Sequence, residues 1–353
     1  MPAGGGLSVM FVVPRFHANL WFATRALVDA GHRVTVLSEM QGAAEDCRIL
    51  APRIVGPAPG SAVLSGVFQD AQPDLVLLRN TSALKRPVAA LARQAGTACR
   101  LCDQRPLTDR RGWRHRLSLR LSGLPLRRVT PVPGLDAEAP RDRDATYLPW
   151  PVERDPNVPL ARGTGPVTVL CVGKLGERRK NQHLVVEALR EHGRAGRVRL
   201  QIVGASGTGA GGTGASGFDA AYLAYLEAAA AEPWIDLRRD VSFAEMPALY
   251  AGADICVLPS VHEPLGTAPV EAMAYGAVPV ISTGAGAAGY LTEGRDGLRV
   301  DVNEPGALAT ALQQVVNDAP YRARLAAGAR ATAESELGPA RFLERIEALA
   351  AEG

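Results

Sequence analysis

Short apolar runs alternate with stretches of helical periodicity along the chain, and the first half shows this pattern most simply. A helix is predicted over about Leu20–Ala30 and another near Ala83–Gln94. Between and around them, strands are predicted over Leu7–Val13, Arg33–Leu37, Asp74–Leu78 and Ala98–Cys102. Apolar strands separated by helices are typical of a parallel sheet with both faces covered. Residues 1–150 therefore predict one doubly wound α/β domain of Rossmann type.

The same alternation begins again after a proline-rich stretch between Leu148 and Gly165, which we interpret as a linker. Strands are predicted beyond it over Val167–Val172, Val198–Val203, Asp254–Leu258 and Val278–Ile281. Residues 151–338 thus predict a second Rossmann-like domain, and a length of 353 residues suits two domains. Two such sheets facing each other form a cleft, with ligands at the carboxyl ends of the strands.

Charge and cysteine content narrow the class of protein. Residues 1–150 hold 20 Lys and Arg against 12 Asp and Glu, although the whole chain has a formal charge of only +3. The basic half is expected to face something anionic.

Five cysteines, an odd number, favour a reducing compartment over a disulfide framework. No apolar run is long enough to span a membrane. We therefore expect a cytoplasmic protein. Cys99 and Cys102 are spaced like a redox or zinc pair, but without a second pair they are interpreted as small buried residues.

The segment from Ser260 to Ile281 carries the first chemical motif. A strand ending at Leu258 leads through a loop into a predicted helix over Thr267–Tyr275. Unpaired N–H groups at Gly266 and Thr267 would face the loop and suit a diphosphate. Glu263 precedes this site and Glu271 lies one turn behind it, where ionised carboxylates accept hydrogen bonds from sugar hydroxyls. The alternative is a solvated helix face with ordinary surface acids.

A second motif follows the strand Val167–Val172. Gly173 makes a turn, and the residues Lys174-Leu-Gly-Glu-Arg-Arg-Lys180-Asn181 come before a helix. Several cations at the end of a strand can offset the charge that builds on a leaving diphosphate. A solvated loop of charges is the alternative.

Together these motifs resemble the signature of the retaining family 4 glycosyltransferases, which have the GT-B fold. The resemblance covers about Thr168–Val300 and rests on Glu263 and Glu271 eight positions apart, Gly266 between them, the Ala272–Ile281 tail and the preceding Ala253–Ser260. It implies that Glu263 contacts the donor sugar and that Glu271 holds the ribose hydroxyls. Leu265, Gly266 and Thr267 then belong to the nucleotide-binding loop.

The resemblance also assigns Gly173, Lys174 and Lys180 to the phosphates. The gap between the two lysines is one residue longer than in the family, so Arg179 is the alternative to Lys180. In GT-B relatives the final helix crosses back to the first domain, and we expect this of residues 339–353.

In the first domain the match to the family is weaker. Relatives carry a glycine-rich loop after the first strand and a His after a later one, whereas this chain has a loop without glycine over 14–19 and Asp103 after Ala98–Cys102. His17 and Asp103 are the candidates for the first-domain catalytic contact. The alternatives are an ordinary surface His and a buried or helix-capping Asp. His262 beside Glu263 is interpreted as a packing residue.

Residues 105–128 contain eight arginines and one acid, and among them are Trp113, Leu117, Leu119, Leu121, Leu124 and Leu126. A basic, partly apolar helix of this kind can lie on an anionic membrane surface or engage a phosphorylated acceptor. The third interpretation of this segment is a soluble helix with snorkelling arginines, which binds neither a membrane nor an acceptor. No nucleic-acid recognition motif accompanies it, so no nucleic-acid partner is expected.

The resulting hypothesis is a retaining, metal-independent glycosyltransferase with no cofactor beyond its co-substrate, a nucleoside diphosphate sugar. The acceptor is a hydroxyl of a small molecule, a glycan or a lipid-linked compound, and residues 1–150 are expected to bind it. Two alternatives remain open. One is another GT-B activity, a nucleotide-sugar epimerase or a transferase with a cyclitol donor; the other is a non-catalytic binding protein on a decayed transferase fold.

Overall fold

The computed structural model describes residues 6–16, 18–41, 49–206 and 217–352. The chain divides into two compact units. Unit 1 comprises Met1–Pro151 with Leu337–Gly353, and unit 2 comprises Val152–Glu336.

The described part of unit 1 contains a parallel sheet of seven strands in the order β3-β2-β1-β4-β5-β6-β7. The central strands are apolar runs buried along almost their whole length, as expected of a sheet covered on both faces. The strands are β1 Ser8–Val13, β2 Arg33–Ser38, β3 Arg53–Ile54, β4 Leu75–Arg79, β5 Ala98–Cys102, β6 Arg128–Thr130 and β7 Ala145–Tyr147.

Four helices lie between the strands of unit 1, and the last helix of the chain completes it. The four are α1 Ala18–Asp29, α2 Ser61–Ala71, α3 Lys85–Ala95 and α4 Trp113–Leu121. The chain's last helix, Pro339–Ala351, packs on α1 and on β5. It buries Phe342, Ile346 and Leu349, and Arg100 of β5 donates to the carboxylate of Glu352 at 3.3 Å.

Residues 105–128 do not form one continuous helix, which corrects the prediction for that segment. Only Trp113–Leu121 is helical, and Arg128 already belongs to β6. Gly112 is extended before the helix, while Gly123, with φ of +67°, and Pro125 follow it and end it.

The described part of unit 2 contains a parallel sheet of six strands in the order β10-β9-β8-β11-β12-β13. These strands are β8 Val167–Val172, β9 Val198–Gly204, β10 Ile235–Arg239, β11 Ile255–Leu258, β12 Val278–Ser282 and β13 Leu298–Val300. The α-helices described in unit 2 are α5 Gln182–Arg194, α6 Ala220–Ala229, α7 Met246–Gly252, α8 Ala268–Ala274, α9 Ala307–Asn317 and α10 Ala319–Glu336. The last helix of the chain, Pro339–Ala351 in unit 1, is numbered α11.

The core of unit 2 lies between its sheet and the helices α5, α6 and α9. Leu189, Leu226 and Leu312 reach it from these three helices and are fully buried against strand residues such as Leu200 and Val257. This packing fixes the sheet and so fixes where its loops begin. None of the helices described is both long enough and apolar enough to cross a membrane.

Candidate functional site

The strand order of unit 2 reverses between β8 and β11. From β8 the chain moves outward to β9 and β10, and from β11 it moves the other way to β12 and β13. At such a switch point the loops leaving two adjacent parallel strands separate and leave a crevice at the carboxyl ends, where ligands of open α/β sheets bind. The two loops concerned are residues 173–181 after β8 and residues 259–267 after β11, which carry the two predicted motifs.

These two loops are joined by a side-chain and a backbone hydrogen bond. The side-chain amide of Asn181 donates to the carbonyl of Pro259 at 3.1 Å, and the N–H of Val261 donates to the carbonyl of Arg179 at 3.0 Å. Asn181 has φ of +53°, a left-handed conformation that Gly and Asn adopt at least cost. Asn181 therefore adopts this conformation with little backbone strain.

A glycine is required at position 204, where β9 ends against the loop after β8. A Cβ on Gly204 would lie 1.8 Å from the carbonyl oxygen of Gly173, so the two backbones touch directly. The side-chain amide of Gln182 donates to the carbonyls of Gly173 and Lys174 at 3.3 and 3.1 Å, and its oxygen accepts from the hydroxyl of Tyr222 at 2.9 Å. Gly173 is therefore held by the buried side chain of Gln182, which no sequence motif indicated.

Three cations and two carboxylates form a network across the two loops. Glu263 contacts Lys180 and lies 3.2 Å from a guanidinium nitrogen of Arg179. Glu177 lies 2.8 Å from Lys174 and 2.6 Å from Arg179. Arg179 thus bridges the two carboxylates, so both predicted candidates, Lys180 and Arg179, lie in the same cluster.

The members of this network differ in exposure. The side chains of Lys180 and Glu263 are 11% and 14% exposed, whereas those of Lys174 and Arg179 are 58% and 40% exposed. Burial opposes ionisation of Glu177, but the hydrogen bond from Lys174 and the charges of the three cations outweigh it and lower the pKa of the Glu177 carboxyl. Glu177 is therefore an ionised partner of the cations at neutral pH.

The loop carrying Glu263 is fixed from its other side by the residues after β12. The N–H of Glu263 donates to the carbonyl of Gly284 at 3.0 Å, and its carbonyl accepts from Gly286 at 3.0 Å. The carbonyl of Leu265 accepts from the N–H of Ala287 at 2.8 Å, and the Leu265 side chain is buried. Leu265 therefore anchors the loop, and Glu263 projects from a backbone bonded on both sides.

Gly266 has φ of +82°, and a Cβ there would lie 2.3 Å from Leu258 and 3.1 Å from Glu263. Within the described part of the chain, the N–H groups of Gly266 and Thr267 have no hydrogen-bond acceptor. The helix behind them, α8, has only seven residues. A helix this short adds little dipole, so the positive charge of the site comes mainly from the three cations.

Glu271 lies one turn into α8, half-buried, and accepts a hydrogen bond from the hydroxyl of Tyr250 at 2.9 Å. Burial raises the pKa of the Glu271 carboxyl, while hydrogen bonds from Thr267 and Tyr250 lower it by less. No cation of the described residues pairs with this carboxylate. It is therefore a desolvated acceptor with spare lone pairs.

The two candidates from unit 1 are not equally placed. His17 lies outside the described residues. Asp103 accepts from Arg128 at 2.8 Å and from the N–H of Arg105 at 3.2 Å. Arg128 is completely buried and also lies 3.2 Å from Asp142, so Asp103 belongs to a buried ion cluster beneath β6. Its catalytic role stays a prediction.

Comparison with known proteins bears on unit 2 first. Residues 166–318 match the family model for glycosyl transferases group 1. Residues 166–318 are a group 1 glycosyltransferase domain. The matched range contains the whole network of cations and carboxylates, together with Glu271.

Individual relatives match shorter segments of the chain. The lipopolysaccharide core biosynthesis glycosyltransferase LpsE of Rhizobium meliloti is 40% identical over 77 residues, which is 22% of either chain. A D-inositol 3-phosphate glycosyltransferase of Stackebrandtia nassauensis is 34% identical over 135 residues, 38% of this chain and 29% of the relative. The matched segments thus span between about a fifth and three tenths of these relatives.

Solved structures extend the likeness to both units. The Anabaena protein Alr3699/HepE, in complex with UDP and glucose, covers 98% of this chain and 100% of its own, with a TM-score of 0.69 and 16% identity. A glycosyltransferase from Rickettsia africae gives the same TM-score at 13% identity. The predicted GT-B fold, with two Rossmann-like parallel sheets, is confirmed.

Proposed function

We propose that the protein is a retaining glycosyltransferase of family 4 that moves a sugar from a nucleoside diphosphate donor to an acceptor hydroxyl. The observation that carries the proposal is the charge network at the switch point of unit 2. There Lys174, Arg179 and Lys180 lie together at the carboxyl ends of β8 and β11, beside Glu263. A diphosphate is the ligand that such a cluster suits best, since each cation neutralises one of its oxygens.

The network also supports an exchange of partners when the donor binds. Lys174 and Arg179 are exposed enough to turn from Glu177 to a phosphate, whereas Lys180 is held against Glu263. Before binding, the carboxylates keep the cations in place and satisfied. The diphosphate then replaces Glu177 as the partner of the two exposed cations.

Glu271 suits the ribose for a different reason. Its carboxylate has lost water through burial and accepts hydrogen bonds only from neutral groups of the described chain, Tyr250 at 2.9 Å and Thr267. Two neighbouring sugar hydroxyls can supply the missing hydrogen bonds.

The Anabaena neighbour was crystallised with UDP and with UDP-glucose, which supports a nucleotide sugar as the donor. The named relatives differ in acceptor, so they leave the acceptor undecided.

The proposed transfer step retains the anomeric configuration of the donor. The bond between the anomeric carbon and the diphosphate oxygen breaks, and a bond from that carbon to the acceptor oxygen forms on the same face. The acceptor proton moves to the leaving phosphate oxygen. Charge that grows on the diphosphate is offset by Lys174, Arg179 and Lys180, so the step needs no divalent metal. We expect activity to survive treatment with EDTA.

The first experiment is a thermal-shift screen with UDP, GDP, dTDP and ADP and their sugars. A ligand at a hundred times its dissociation constant should add roughly 2.7 kcal/mol of stability. With the donor identified, Glu271→Ala should weaken donor binding, and Glu263→Ala should reduce turnover more than binding. Glu304→Ala, an exposed acid in the same unit, is the matched control.

Product analysis separates the proposal from its alternatives. Retention predicts that the new glycosidic bond has the anomeric configuration of the donor, which proton NMR of the product measures directly. A nucleotide sugar altered without any acceptor would indicate an epimerase. Failure to bind every nucleoside diphosphate would indicate a decayed fold.

A further inference from the structure

Helix α4 of unit 1 exposes a row of large apolar side chains. Trp113, Leu117 and Leu121 are 69%, 47% and 81% exposed. They recur every four residues and therefore lie along one face of the helix. Leu119, on the opposite side, is buried in the core of unit 1, so the exposed face points away from the domain.

Other leucines in residues 105–128 are not exposed in this way. Leu124 is buried, and Leu126 packs against the core. Of the six leucines in residues 105–128, only Leu117 and Leu121 are exposed. The apolar surface is therefore confined to three side chains of one helix.

Five of the eight arginines in this segment are in ion pairs within unit 1. They are Arg105 with Asp109, Arg111 with Asp142, Arg116 with Asp144, Arg127 with Glu352 and Arg128 with Asp142. These arginines are explained by the fold itself, since their charges are already neutralised.

The remaining three arginines are Arg110, Arg114 and Arg120, all exposed, and no carboxylate of the described chain pairs with them. Arg114 and Arg120 flank the apolar face on its two sides. The guanidinium of Arg114 also lies over the ring of Trp113 at 5.4 Å from its centre. Unneutralised cations thus border the apolar face, and that combination matches a surface with anionic groups above an apolar layer.

We propose that α4 binds the surface of an anionic lipid bilayer, with Trp113, Leu117 and Leu121 in the lipid and Arg110, Arg114 and Arg120 on the headgroups. The apolar side chains alone would suit any apolar partner. The charge around them selects an anionic bilayer, because the cations stand at the depth where headgroup phosphates lie when the apolar row is immersed. A nine-residue helix gives modest affinity, so the attachment is reversible.

The experiment is co-sedimentation of the full chain with vesicles of phosphatidylcholine alone or mixed with phosphatidylglycerol, without any sugar donor. The wild type should bind the anionic vesicles, bind neutral ones weakly, and lose binding as salt is raised. Arg114→Gln with Arg120→Gln should weaken binding by about 25-fold, at about five-fold for each basic side chain near the membrane. Leu117→Ser with Leu121→Ser should weaken it by at least about ten-fold.

Matched controls make these losses specific. Arg190→Gln with Arg324→Gln removes the same charge from exposed positions of unit 2, and Val63→Ser removes an exposed apolar side chain from α2; both should bind like the wild type. The substituted side chains of α4 are exposed, so the unfolding midpoint should not change. As a direct readout, anionic vesicles should shift the emission of Trp113 to shorter wavelength, and Trp113→Phe should remove that shift.

Three results would overturn the proposal. The first is equal binding of neutral and anionic vesicles, or of the α4 variants and the wild type. The second is saturation of the Trp113 emission change by inorganic phosphate without vesicles, which would indicate a site for a soluble phosphorylated acceptor. The third is a dimer in sedimentation velocity that Leu121→Ser converts to a monomer, which would assign the face to a second copy of the chain. Because no donor is present, none of these results depends on the proposed transferase activity.

Discussion

Gly266→Ala should damage both the stability of unit 2 and donor binding, and the structure gives the reasons separately. The residue has φ of +82°, which an L-residue with a side chain rarely adopts. An added Cβ would also lie 2.3 Å from Cδ2 of Leu258, a fully packed residue at the end of β11, and 3.1 Å from Cγ of Glu263. Ordinary contact between carbon atoms is about 3.5–4.0 Å, so Leu258 or the loop must move by more than about 1 Å.

The magnitude follows from two contributions. A left-handed conformation costs alanine about 1–2 kcal/mol relative to glycine, and a gain of about 0.4–1 kcal/mol from restricting the unfolded chain offsets part of that. Overpacking a buried site costs about 1–3 kcal/mol more. We therefore expect Gly266→Ala to lower the free energy of unfolding by about 2–4 kcal/mol. Displacement of the loop should also weaken donor binding by at least about ten-fold, because Glu263 moves with it.

Gly306→Ala is a closely matched control. Gly306 lies in the same unit with φ of +81°, but an added Cβ there meets no atom within 4 Å. It should show only the conformational cost, about 1 kcal/mol, and leave donor binding unchanged.

Urea unfolding, followed by the emission of Trp234 in unit 2, measures both variants, and calorimetry measures donor affinity. Equal losses of stability in the two variants would show that contact with Leu258 does not decide the residue at position 266. Unchanged donor affinity in Gly266→Ala would remove the loop from the donor site.

Three further predictions use other contacts. Burial raises the pKa of Glu271 above its ordinary 4.5, so the folded protein holds that proton more tightly than the unfolded chain and loses stability as pH rises from about 4.5 to the raised pKa. Glu271→Gln has no such carboxyl, so its unfolding midpoint relative to that of the wild type should rise between pH 4 and pH 7. Its donor affinity should be lower than that of the wild type. A difference in unfolding midpoint that stays constant with pH would contradict the argument. Asn181→Gly should lower the free energy of unfolding by about 0.5–1.5 kcal/mol, because it loses only the hydrogen bond to Pro259. Asn181→Ala should lose that bond and a further 1–2 kcal/mol, roughly, because alanine is strained in the left-handed conformation. Urea unfolding measures both variants. Arg128→Met should destabilise unit 1 by about 3 kcal/mol or more, because it leaves Asp103 without its guanidinium partner and Asp142 with one fewer; a loss below about 1 kcal/mol in thermal unfolding would show that the cluster contributes little.

The strands that hydrophobic runs predicted are those at the centre of each sheet. Ala98–Cys102 and Val167–Val172 have the predicted bounds, because most positions of a strand covered on both faces are apolar. Arg100 is an exception within Ala98–Cys102, and it is paired with Glu352. Strands at the edges escaped prediction. Residues Ile235–Arg239 read Ile-Asp-Leu-Arg-Arg, and β6 and β7 have three residues each. Such segments become strands through pairing with a neighbour, which the local pattern does not show.

The site divides in the same way. The sequence indicated Glu263, Glu271 and the cations, because their chemistry and spacing are local. It did not indicate Glu177, although an acid among four cations was visible in the loop, and nothing local indicated Gln182. These residues act through contacts made only after folding, Glu177 with Lys174 and Arg179, and Gln182 with the carbonyl of Gly173.

The arrangement of the site separates what must stay fixed from what must change partners. Backbone contacts fix the loops, since Gly204 touches Gly173 and Glu263 is bonded on both sides to the residues after β12. The charged side chains are the variable part, and their exposure decides their freedom. Lys180 is buried against Glu263, whereas Lys174 can leave Glu177 at little cost, because exposed ion pairs contribute little to stability. If the proposed donor binds here, its diphosphate would meet one cation already in position and two that can move to it, and Lys180 would hold Glu263 beside the phosphates.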